Sequence, residues 1–318
     1  MEFDKPSLSI EQQLELLISR CLIVSDKSKA KRYLEHIGYY RLSAYMIPFY
    51  THVKEHKFKA NTTFEDILNL YIFDRKLRLL ILEAVERIEI SFRSAFINIF
   101  AQLKGSHGYL EEKFFDTRYD NQWLIEKLQK EVRKSKEVFV QHYKNKYDDS
   151  NLPPVWMSTH LITFKELVVL YQNIRDIDIT QQMASFYGLK NPIIISWMRT
   201  LSDLRNLCAH HSRVWNRSFG QKGVLPKNMP KKWLENFPEL INIGNNDKIS
   251  PRNSLYFHIV IIWYFMSQMN TNSIWLDRLI KLCDKHSINM INLGFPENWQ
   301  QDKYWDLATC DKGAKPCN

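Results

Sequence analysis

A single long stretch, from Thr62 to about Leu103, constrains the fold more than any other part of the sequence. Its apolar residues recur at steps of three and four and form one helical stripe: Leu77, Leu80, Ile81, Ala84, Val85, Ile88, Phe92, Ala95, Phe96, Ile99 and Leu103. Thr62 and Glu65 fit a capping box at the start of this helix, and Gly105 is placed to end it. The stretch predicts one long helix with a buried face, against which other elements pack.

Helices are favoured in the rest of the chain as well. The 318 residues include only 9 Gly and 11 Pro, a low content for the turn-dense pattern of an all-β domain. Further helices are expected at about 253–269 and 273–286. The most apolar run, 255–266, is shorter than the roughly 20 residues of a membrane-spanning helix and contains His258. We therefore predict an all-α protein without a membrane span, with a core helix over this run.

Three regions are expected along the chain. Residues 1–60 would form an N-terminal helical region, residues 61–290 a helical core, and residues 291–318 a C-terminal extension. The core is interrupted at 220–252, a segment rich in Gly, Pro and Asn that predicts a long irregular connection. Long connections of this kind are often functional.

The charge balance indicates the kind of partner. Lys and Arg outnumber Asp and Glu by 44 to 35, which gives a formal net charge of +9. Such an excess fits a partner rich in phosphate, with nucleic acid first and an anionic membrane surface second. Part of it lies in a predicted basic helix over 121–147, where Lys130, Arg133 and Lys134 are candidate RNA-binding residues. A basic helical face is often only solvated, so both interpretations stay open.

Cysteines and known site motifs limit the chemistry. The five cysteines are scattered at positions 21, 208, 283, 310 and 317 without a C-x-x-C pair, so we expect no zinc site and reduced thiols. The N-terminus lacks a basic segment followed by an apolar run, so no signal peptide is expected. The sequence has no H-E-x-x-H, G-x-x-x-x-G-K-[ST] or G-x-S-x-G motif. We expect a cytoplasmic protein that uses neither a metal nor another cofactor.

The segment LRNLCAHHSRVW, residues 204–215, contains the candidate reaction centre. It brings Arg205, Asn206 and His210 close together in sequence and continues with His211 and Arg213. Histidine titrates near neutral pH and can move protons, while a guanidinium offers fixed bidentate charge to phosphoryl oxygens. This combination suits RNA cleavage without a metal, in which a base takes the proton of the 2′-hydroxyl and an acid protonates the 5′-oxygen.

The motif is expected on a packed helix with Asn191 as its N-cap. Its buried stripe would consist of Ile194, Ile195, Met198, Leu201, Leu204 and Cys208. Steps of three and four residues place Asp203, Asn206 and His210 on one side of this helix. Arg205 lies about 140° away from His210 around an ideal helix, so its long side chain or a local distortion has to close the gap.

A purely structural interpretation of the same residues stays open. Arg205 could pair with Asp203 or another carboxylate, and His210 and His211 could close the C-terminus of the helix, where the partial negative charge favours them. The spacing alone is a weak signal for catalysis.

Two other clusters have a functional and a structural interpretation. Glu86, Glu89 and Arg93 are neighbours on one face of the long helix, either as a surface charge cluster or as support beside a reaction centre. Around Gly38 and Arg41, several aromatic residues could stack unpaired bases while Arg41 binds a phosphate. Aromatic residues at helical spacing more often pack a core, and the spacing here favours packing.

Three segments together resemble a known family. The segment LSDLRNLCAHHSRVWNR is similar to the signature of the Abi family of bacterial abortive-infection proteins, whose R-N-x-x-x-H matches the active-site motif of the HEPN ribonuclease superfamily. The segments YLEHIGYYRLSAYMIPF and LYIFDRKLRLLILEAVERIEISFRS resemble the family's other two blocks. The resemblance covers about 33–217, and no position of the R-N-x-x-x-H core departs from the pattern.

The resemblance implies an all-α HEPN-like helical bundle, here with an N-terminal helical extension and additional C-terminal helices. It also implies a toxin-like, metal-independent endoribonuclease of phage defence, a homodimer that joins two motifs into one site, and an RNA or protein antitoxin as a further partner. Arg205 and His210 would be catalytic, and Asn206 would orient them. Glu86, Glu89 and Arg93 would lie beside the reaction centre as supporting residues. In a single chain, His211 could instead be the second proton carrier. The alternative function is a HEPN protein that binds RNA without cutting it.

Overall fold

The structure is a computed structural model of the 318-residue chain. It describes residues 6–52, 54–147, 152–227, 230, 233–235, 237–243, 247–270 and 272–308. The last part of the predicted C-terminal extension, 309–318, lies outside the described residues.

The fold is all-α, as predicted. In chain order the helices are α1 (Ile10–Ser19), α2 (Lys27–Ile37), α3 (Tyr39–Met46), α4 (Phe64–Lys104), α5 (Asn121–Lys134), α6 (Val138–Lys146), α7 (Val155–Ser158), α8 (Phe164–Gln172), α9 (Ile177–Tyr187), α10 (Asn191–Ala209), α11 (Leu255–Met269) and α12 (Trp275–Lys285). The strands of the described residues form two antiparallel pairs, β1 (Tyr50–His52) with β2 (Lys57–Phe58), and β3 (Ile241–Ile243) with β4 (Asp247–Ile249).

The long central helix is confirmed, but it begins one residue later than the sequence indicates. Its N-cap is Thr63, whose hydroxyl accepts the Asp66 N–H at 3.1 Å, while the Asp66 carboxylate accepts the Thr63 N–H at 2.8 Å. The predicted capping pair of Thr62 with Glu65 is therefore wrong. The Thr62 carbonyl accepts the N–H of Ile23 at 2.9 Å, and this extended pairing holds Thr62 outside the helix.

Helix α4 is the centre around which the other helices pack. It is in contact with α3, α8, α9, α10, α11 and α12. Its apolar stripe is buried as predicted from Leu77 to Phe96, whereas Ile99 and Leu103 are only partly buried. Different parts of α4 bind different partners: Lys104, its last residue, forms an ion pair with Asp176 just before α9, and Asp74 binds the chain that follows α10.

One hydrophobic cluster extends through all three regions that the sequence suggests. Leu17, Ile81 and Trp305 are all members of it. The boundaries at residues 60 and 290 stay predictions, because nothing else in the structure bears on them. The described residues of 220–252 contain the β3–β4 pair and no α-helix.

Three other predicted helices are found with shifted bounds. Helices α11 and α12 correspond to the predictions at 253–269 and 273–286. Helix α10 has Lys190 as its N-cap, one residue before the predicted cap. Within the described residues, no helix is long and apolar enough to cross a membrane.

The basic segment 121–147 is not one helix. It divides into α5 and α6, because Ser135 takes an extended conformation at the end of α5. The Ser135 hydroxyl accepts the Glu137 N–H at 3.2 Å, and its carbonyl accepts the side-chain amide of Gln141 at 2.6 Å. These local bonds satisfy backbone and side-chain groups at the break, so the prediction of a single helix was wrong.

A buried carboxylate joins α4 to α3 and to the chain after α10. Asp74 is fully buried; it accepts the Tyr45 hydroxyl at 2.6 Å and forms an ion pair with Arg78. Its other oxygen accepts the backbone N–H groups of Val214 at 3.1 Å and Trp215 at 2.8 Å. Burial, together with the Asp74 carboxylate, raises the pKa of Tyr45, so the phenol stays protonated and donates. These partners satisfy the buried charge of Asp74 from three elements.

Replacing Asp74 with Ala should lower the free energy of unfolding by about 3–5 kcal/mol, because Arg78 would be left buried without its partner. Urea unfolding followed by circular dichroism measures the change. The matched control is Asp277→Ala, which removes an exposed ion pair with Lys281 on α12 and should cost less than about 1 kcal/mol. A loss for Asp74→Ala as small as that of the control would contradict the assigned role.

Candidate functional site

The segment with Arg205, Asn206 and His210 forms the last turn of α10 and the turn that ends it. His210 is the C-cap, and the next residue, His211, has a positive φ of 59°. The His211 N–H donates to the Cys208 carbonyl at 3.0 Å, and the Ser212 N–H donates to the Leu207 carbonyl at 2.9 Å. These two bonds define a Schellman motif, in which glycine is the usual residue at the left-handed position. Histidine there costs roughly 1 kcal/mol, so contacts elsewhere have to hold the turn.

Two arginines bind this turn to α3. Arg41 donates from Nη1 to the His211 carbonyl at 2.9 Å, and Arg213 donates from Nη1 to the Ala44 carbonyl at 2.6 Å. Burial lowers the pKa of the half-buried Arg213, and the Asp74 carboxylate opposes this effect. No local pattern in the sequence indicates this bracing, because α3 and the turn are about 170 positions apart. Arg41 thus has a structural hydrogen bond to this turn. The predicted contact of Arg41 with RNA stays a prediction.

The aromatic residues of α3 differ in their surroundings. Tyr45 is buried against Asp74, in agreement with the packing interpretation. Tyr39 accepts a hydrogen bond from Arg20 at 2.7 Å, and Tyr40 is almost fully exposed. Base stacking on the exposed ring therefore stays a prediction.

Asn206 and His210 line a cleft of about 450 Å³. Its lining consists of residues from the end of α10, from the following loop and from α11: Asp203, Leu204, Asn206, Leu207, His210, Ser212, Arg217, Phe219, Gly220, Gln221 and His258. Asp203, Asn206 and His210 share this cleft, as their helical spacing predicts.

Arg205 lies on the neighbouring face of α10, outside the lining of the cleft. It is exposed, and its Nη1 donates to the side-chain oxygen of Asn206 at 3.3 Å. The helix continues without a break to Ala209, so no local distortion turns Arg205 towards His210. In one chain the two groups are connected through Asn206, which binds the guanidinium and lines the cleft with the imidazole.

His211 lies outside the cleft that contains His210. Its exposed position follows from the left-handed turn, and its carbonyl is the acceptor for Arg41. Within one chain, the geometry therefore places one histidine of the pair at the cleft and gives the backbone of the other a structural bond.

The far side of the cleft contains residues that were not predicted as site residues. Arg217 has its guanidinium 5.4 Å from the centre of the Phe219 ring and donates to the Arg213 carbonyl at 3.1 Å. The Phe219 ring lies 4.2 Å from that of His258, whose Nδ1 is 2.7 Å from the Ser254 carbonyl. Arg217 lies only a few residues after the motif in the sequence, so its basic side chain was a usable signal for a site residue. His258 offered none, because it lies within an apolar helix.

Glu89 and Arg93 form an ion pair with each other, and their predicted role beside a reaction centre stays a prediction. Arg93 is buried, forms an ion pair with Glu89 at 2.8 Å and donates to the Thr159 carbonyl. Glu89 is 15 positions from Asp74 along α4, about 22 Å of helix rise. Within the described part of the chain, neither residue is bonded to the motif. Both hold α4 against the segment after α7, and Glu86 is exposed on the helix surface.

Helix α5 presents the predicted basic residues to solvent. Lys130, Arg133 and Lys134 are all exposed. Lys127 on the same helix forms an ion pair with Glu166 at 2.8 Å, which fixes α5 beside the first turn of α8. The contact of the three exposed residues with RNA stays a prediction.

Clusters of metal-binding side chains are absent from the residues that the structure describes: no three His, Cys, Asp or Glu residues lie close enough to hold an ion. Cys21, Cys208 and Cys283 are free thiols.

Comparison with known proteins identifies one family. The sequence model for the family described as Abi-like protein matches residues 32–216, more than half of the chain. The match ends one residue before Arg217 and includes the motif, α3 and α4. No curated protein and no solved structure matches the chain.

Burial lowers the pKa of His258 to about 4, although its bond with the Ser254 carbonyl opposes the shift. In the unfolded chain the imidazole has its ordinary pKa of about 6.5. Between these values the unfolded state binds more protons, so the free energy of unfolding should fall as the pH is lowered. The contribution of neutral His258 to the free energy of unfolding is therefore complete above about pH 6.5. It decreases by about 3 kcal/mol as the pH is lowered towards 4.

Urea unfolding at a series of pH values measures this dependence. His258→Gln should flatten the curve between neutral pH and pH 4, whereas His36→Gln, at an exposed position of α2, should leave its slope unchanged. Parallel curves for the parent protein and His258→Gln would contradict the assignment.

Proposed function

The chain belongs to the Abi-like protein family, and from this membership and the geometry of the cleft we propose that it is an abortive-infection endoribonuclease. Membership of this family points to abortive infection, that is, to defence against phage. The finer proposal is a HEPN-type enzyme that cleaves RNA without a metal through Arg205, Asn206 and His210.

The observation that carries the proposal is the shared position of Asn206 and His210 in a cleft, with Arg205 bonded to Asn206. Histidine is suited to proton transfer near neutral pH. Arginine gives a fixed positive charge to phosphoryl oxygens. A capping role alone does not require the asparagine to bind the arginine and to line the same cleft as the histidine.

In the proposed reaction, the 2′-hydroxyl oxygen of a ribose attacks the adjacent phosphorus. A base takes the hydroxyl proton, the bond from phosphorus to the 5′-oxygen breaks, and an acid protonates that oxygen. The products are a 2′,3′-cyclic phosphate and a 5′-hydroxyl. His210 transfers a proton, Arg205 stabilises the charge on the phosphoryl oxygens, and the hydrogen bond from Arg205 to Asn206 orients the guanidinium.

Base and acid are two roles, and each chain places one motif histidine at the cleft. A symmetric homodimer supplies a second motif. The exposed position of Arg205 on the outer face of α10 supports this arrangement, because the guanidinium is accessible to a second copy. The position of His211 outside the cleft argues against a single-chain site in which His211 is the second proton carrier.

Such an enzyme also needs to be controlled. A ribonuclease that acts on RNA of its own cell has to be restrained until infection. We therefore propose an RNA or protein antitoxin as a further partner and the cytoplasm as the location.

Arg205→Ala and His210→Ala should each lower RNA cleavage by at least about 100-fold, because a phosphate-binding charge or a proton carrier is lost. Both side chains are exposed, so circular dichroism should show an intact fold. Arg205→Lys should remain poor, since an ammonium lacks the planar fork. Incubation with total RNA, followed by sequencing of the RNA ends, measures the effect.

The matched control is His211→Asn, because asparagine tolerates the left-handed backbone and the cleft does not include this side chain. It should retain cleavage. Products should carry a 2′,3′-cyclic phosphate or the derived 3′-phosphate, in EDTA as in magnesium. Native activity in folded His210→Ala, or activity that EDTA abolishes and metal restores, would show that the assignment is wrong. Retardation of RNA without any shortening would favour the binding protein.

Specific activity should fall when the protein is diluted below its dimer dissociation constant, because a site made from two motifs is lost with the dimer. Analytical ultracentrifugation at the same concentrations gives the oligomeric state. Constant specific activity across a range in which the protein sediments as a monomer would contradict the two-chain site.

A further inference from the structure

A second cavity adjoins the cleft that contains His210. It has a volume of about 210 Å³ and is lined by residues of α8, α10 and the following loop: Lys165, Val168, Val169, Arg199, Ser202, Asp203 and Gln221. Asp203 and Gln221 line both cavities. The cleft and the second cavity are thus consecutive parts of one groove.

One face of α10 forms the base of this groove. Arg199, Asp203, Asn206 and His210 follow each other at steps of four, three and four, which places them in one row. The row spans 11 residue steps, about 16 Å of helix rise. It is long enough for an extended ligand to reach both cavities.

The loop after the motif forms the opposite wall and is held at several points. The Val224 N–H donates to the Ser196 hydroxyl at 2.9 Å, and the Trp197 indole donates to the Val224 carbonyl at 2.8 Å. Arg252 donates to the Gly223 carbonyl at 2.7 Å. A Cβ at Gly223 would lie 2.3 Å from the Phe257 ring, so only glycine lets the loop lie so close. The wall is therefore fixed before any ligand binds.

Charge is distributed unevenly along the groove. Lys165 and Arg199 lie at one end and Arg217 at the other, with the carboxylate of Asp203 between them. Lys165 and Arg199 are exposed, and neither forms an ion pair within the described residues. A phosphate is favoured at each cationic end and disfavoured beside Asp203. The ends thus fit two phosphate positions along one strand.

Helix α5 lies beside the helix that carries Lys165. The ion pair of Lys127 with Glu166 fixes α5 beside the first turn of α8, which carries Lys165. Lys165 thus lies on the helix to which this ion pair fixes α5.

We propose that the cavity of Lys165 and Arg199 is a phosphate-binding subsite for a nucleotide remote from the bond that is cut. It rests on the proposed function in taking single-stranded RNA as the ligand. The strand lies along α10, with one phosphate at the cleft of His210 and Arg217 and another at Lys165 and Arg199. The subsite makes the affinity depend on the length of the RNA.

Binding by protein with the His210→Ala substitution tests this without cleavage. The probes are a fluorescent oligouridylate of about ten nucleotides, within the usual site size of single-strand binders, and the dinucleotide UpU, which is too short to span the groove. Lys165→Gln/Arg199→Gln should weaken oligouridylate binding by about ten-fold and leave UpU binding unchanged. The slope of log affinity against log salt should become shallower by about 0.7 for each phosphate that the variant no longer neutralises.

The matched control is Lys27→Gln/Lys285→Gln, which removes the same charge from exposed positions on α2 and α12. It should keep the RNA affinity and the salt dependence of the His210→Ala protein. The proposal is overturned if Lys165→Gln/Arg199→Gln behaves like the parent, if the control weakens binding equally, or if UpU binding falls by the same factor. Failure of the parent to bind the oligouridylate at low salt overturns it too. If the unmodified protein binds RNA but never cuts it, the proposed catalysis fails, whereas the subsite is still decided by binding.

Discussion

The geometry of the candidate site depends on the buried carboxylate of Asp74. A buried charge without partners is costly, so its partners have to be held in place for the chain to fold. Those partners come from three elements: Tyr45 on α3, Arg78 on α4, and the N–H groups of Val214 and Trp215 after α10. Satisfying one charge thus fixes the direction in which the chain leaves the motif helix. The same contacts lead the loop with Arg217 back along α10, where it completes the cleft.

The backbone of the turn that ends α10 is slightly strained, and the contacts around the turn stabilise it. His211 takes a left-handed conformation usually left to glycine, and Arg41 binds its carbonyl. Because the helix has to stop at this turn, His210 comes to the mouth of the cleft as the C-cap. Arg205, four positions before the last helical residue, remains on the outer face. The separation between the two groups therefore follows from helix geometry, which explains why one chain does not bring them into contact.

Local patterns in the sequence predicted what depends on helical periodicity. The long helix α4, the packed helix α10 and the common face of Asp203, Asn206 and His210 all follow from steps of three and four residues. The remaining features depend on contacts between distant positions. The bond from Arg41 to His211, the burial of Arg93 beside Thr159, and the approach of Arg217 to His258 join segments that are not close in sequence. The shift of the helix start from Thr62 to Thr63 has the same cause, because Ile23 pairs with Thr62.

Stability and function are assigned to different residues. Asp74, Arg78 and Arg213 are buried or half-buried, and their charges are compensated by bonds within the fold. Arg205 and His210 are exposed and contribute little packing. Side chains needed only for the stability of the fold are expected in its packed interior, whereas His210 lies at the cleft and Arg205 on the exposed outer face of α10. Exposed polar groups held on a rigid, buried frame are the expected arrangement for a binding or catalytic site, since the frame fixes the backbone while the side chains stay accessible.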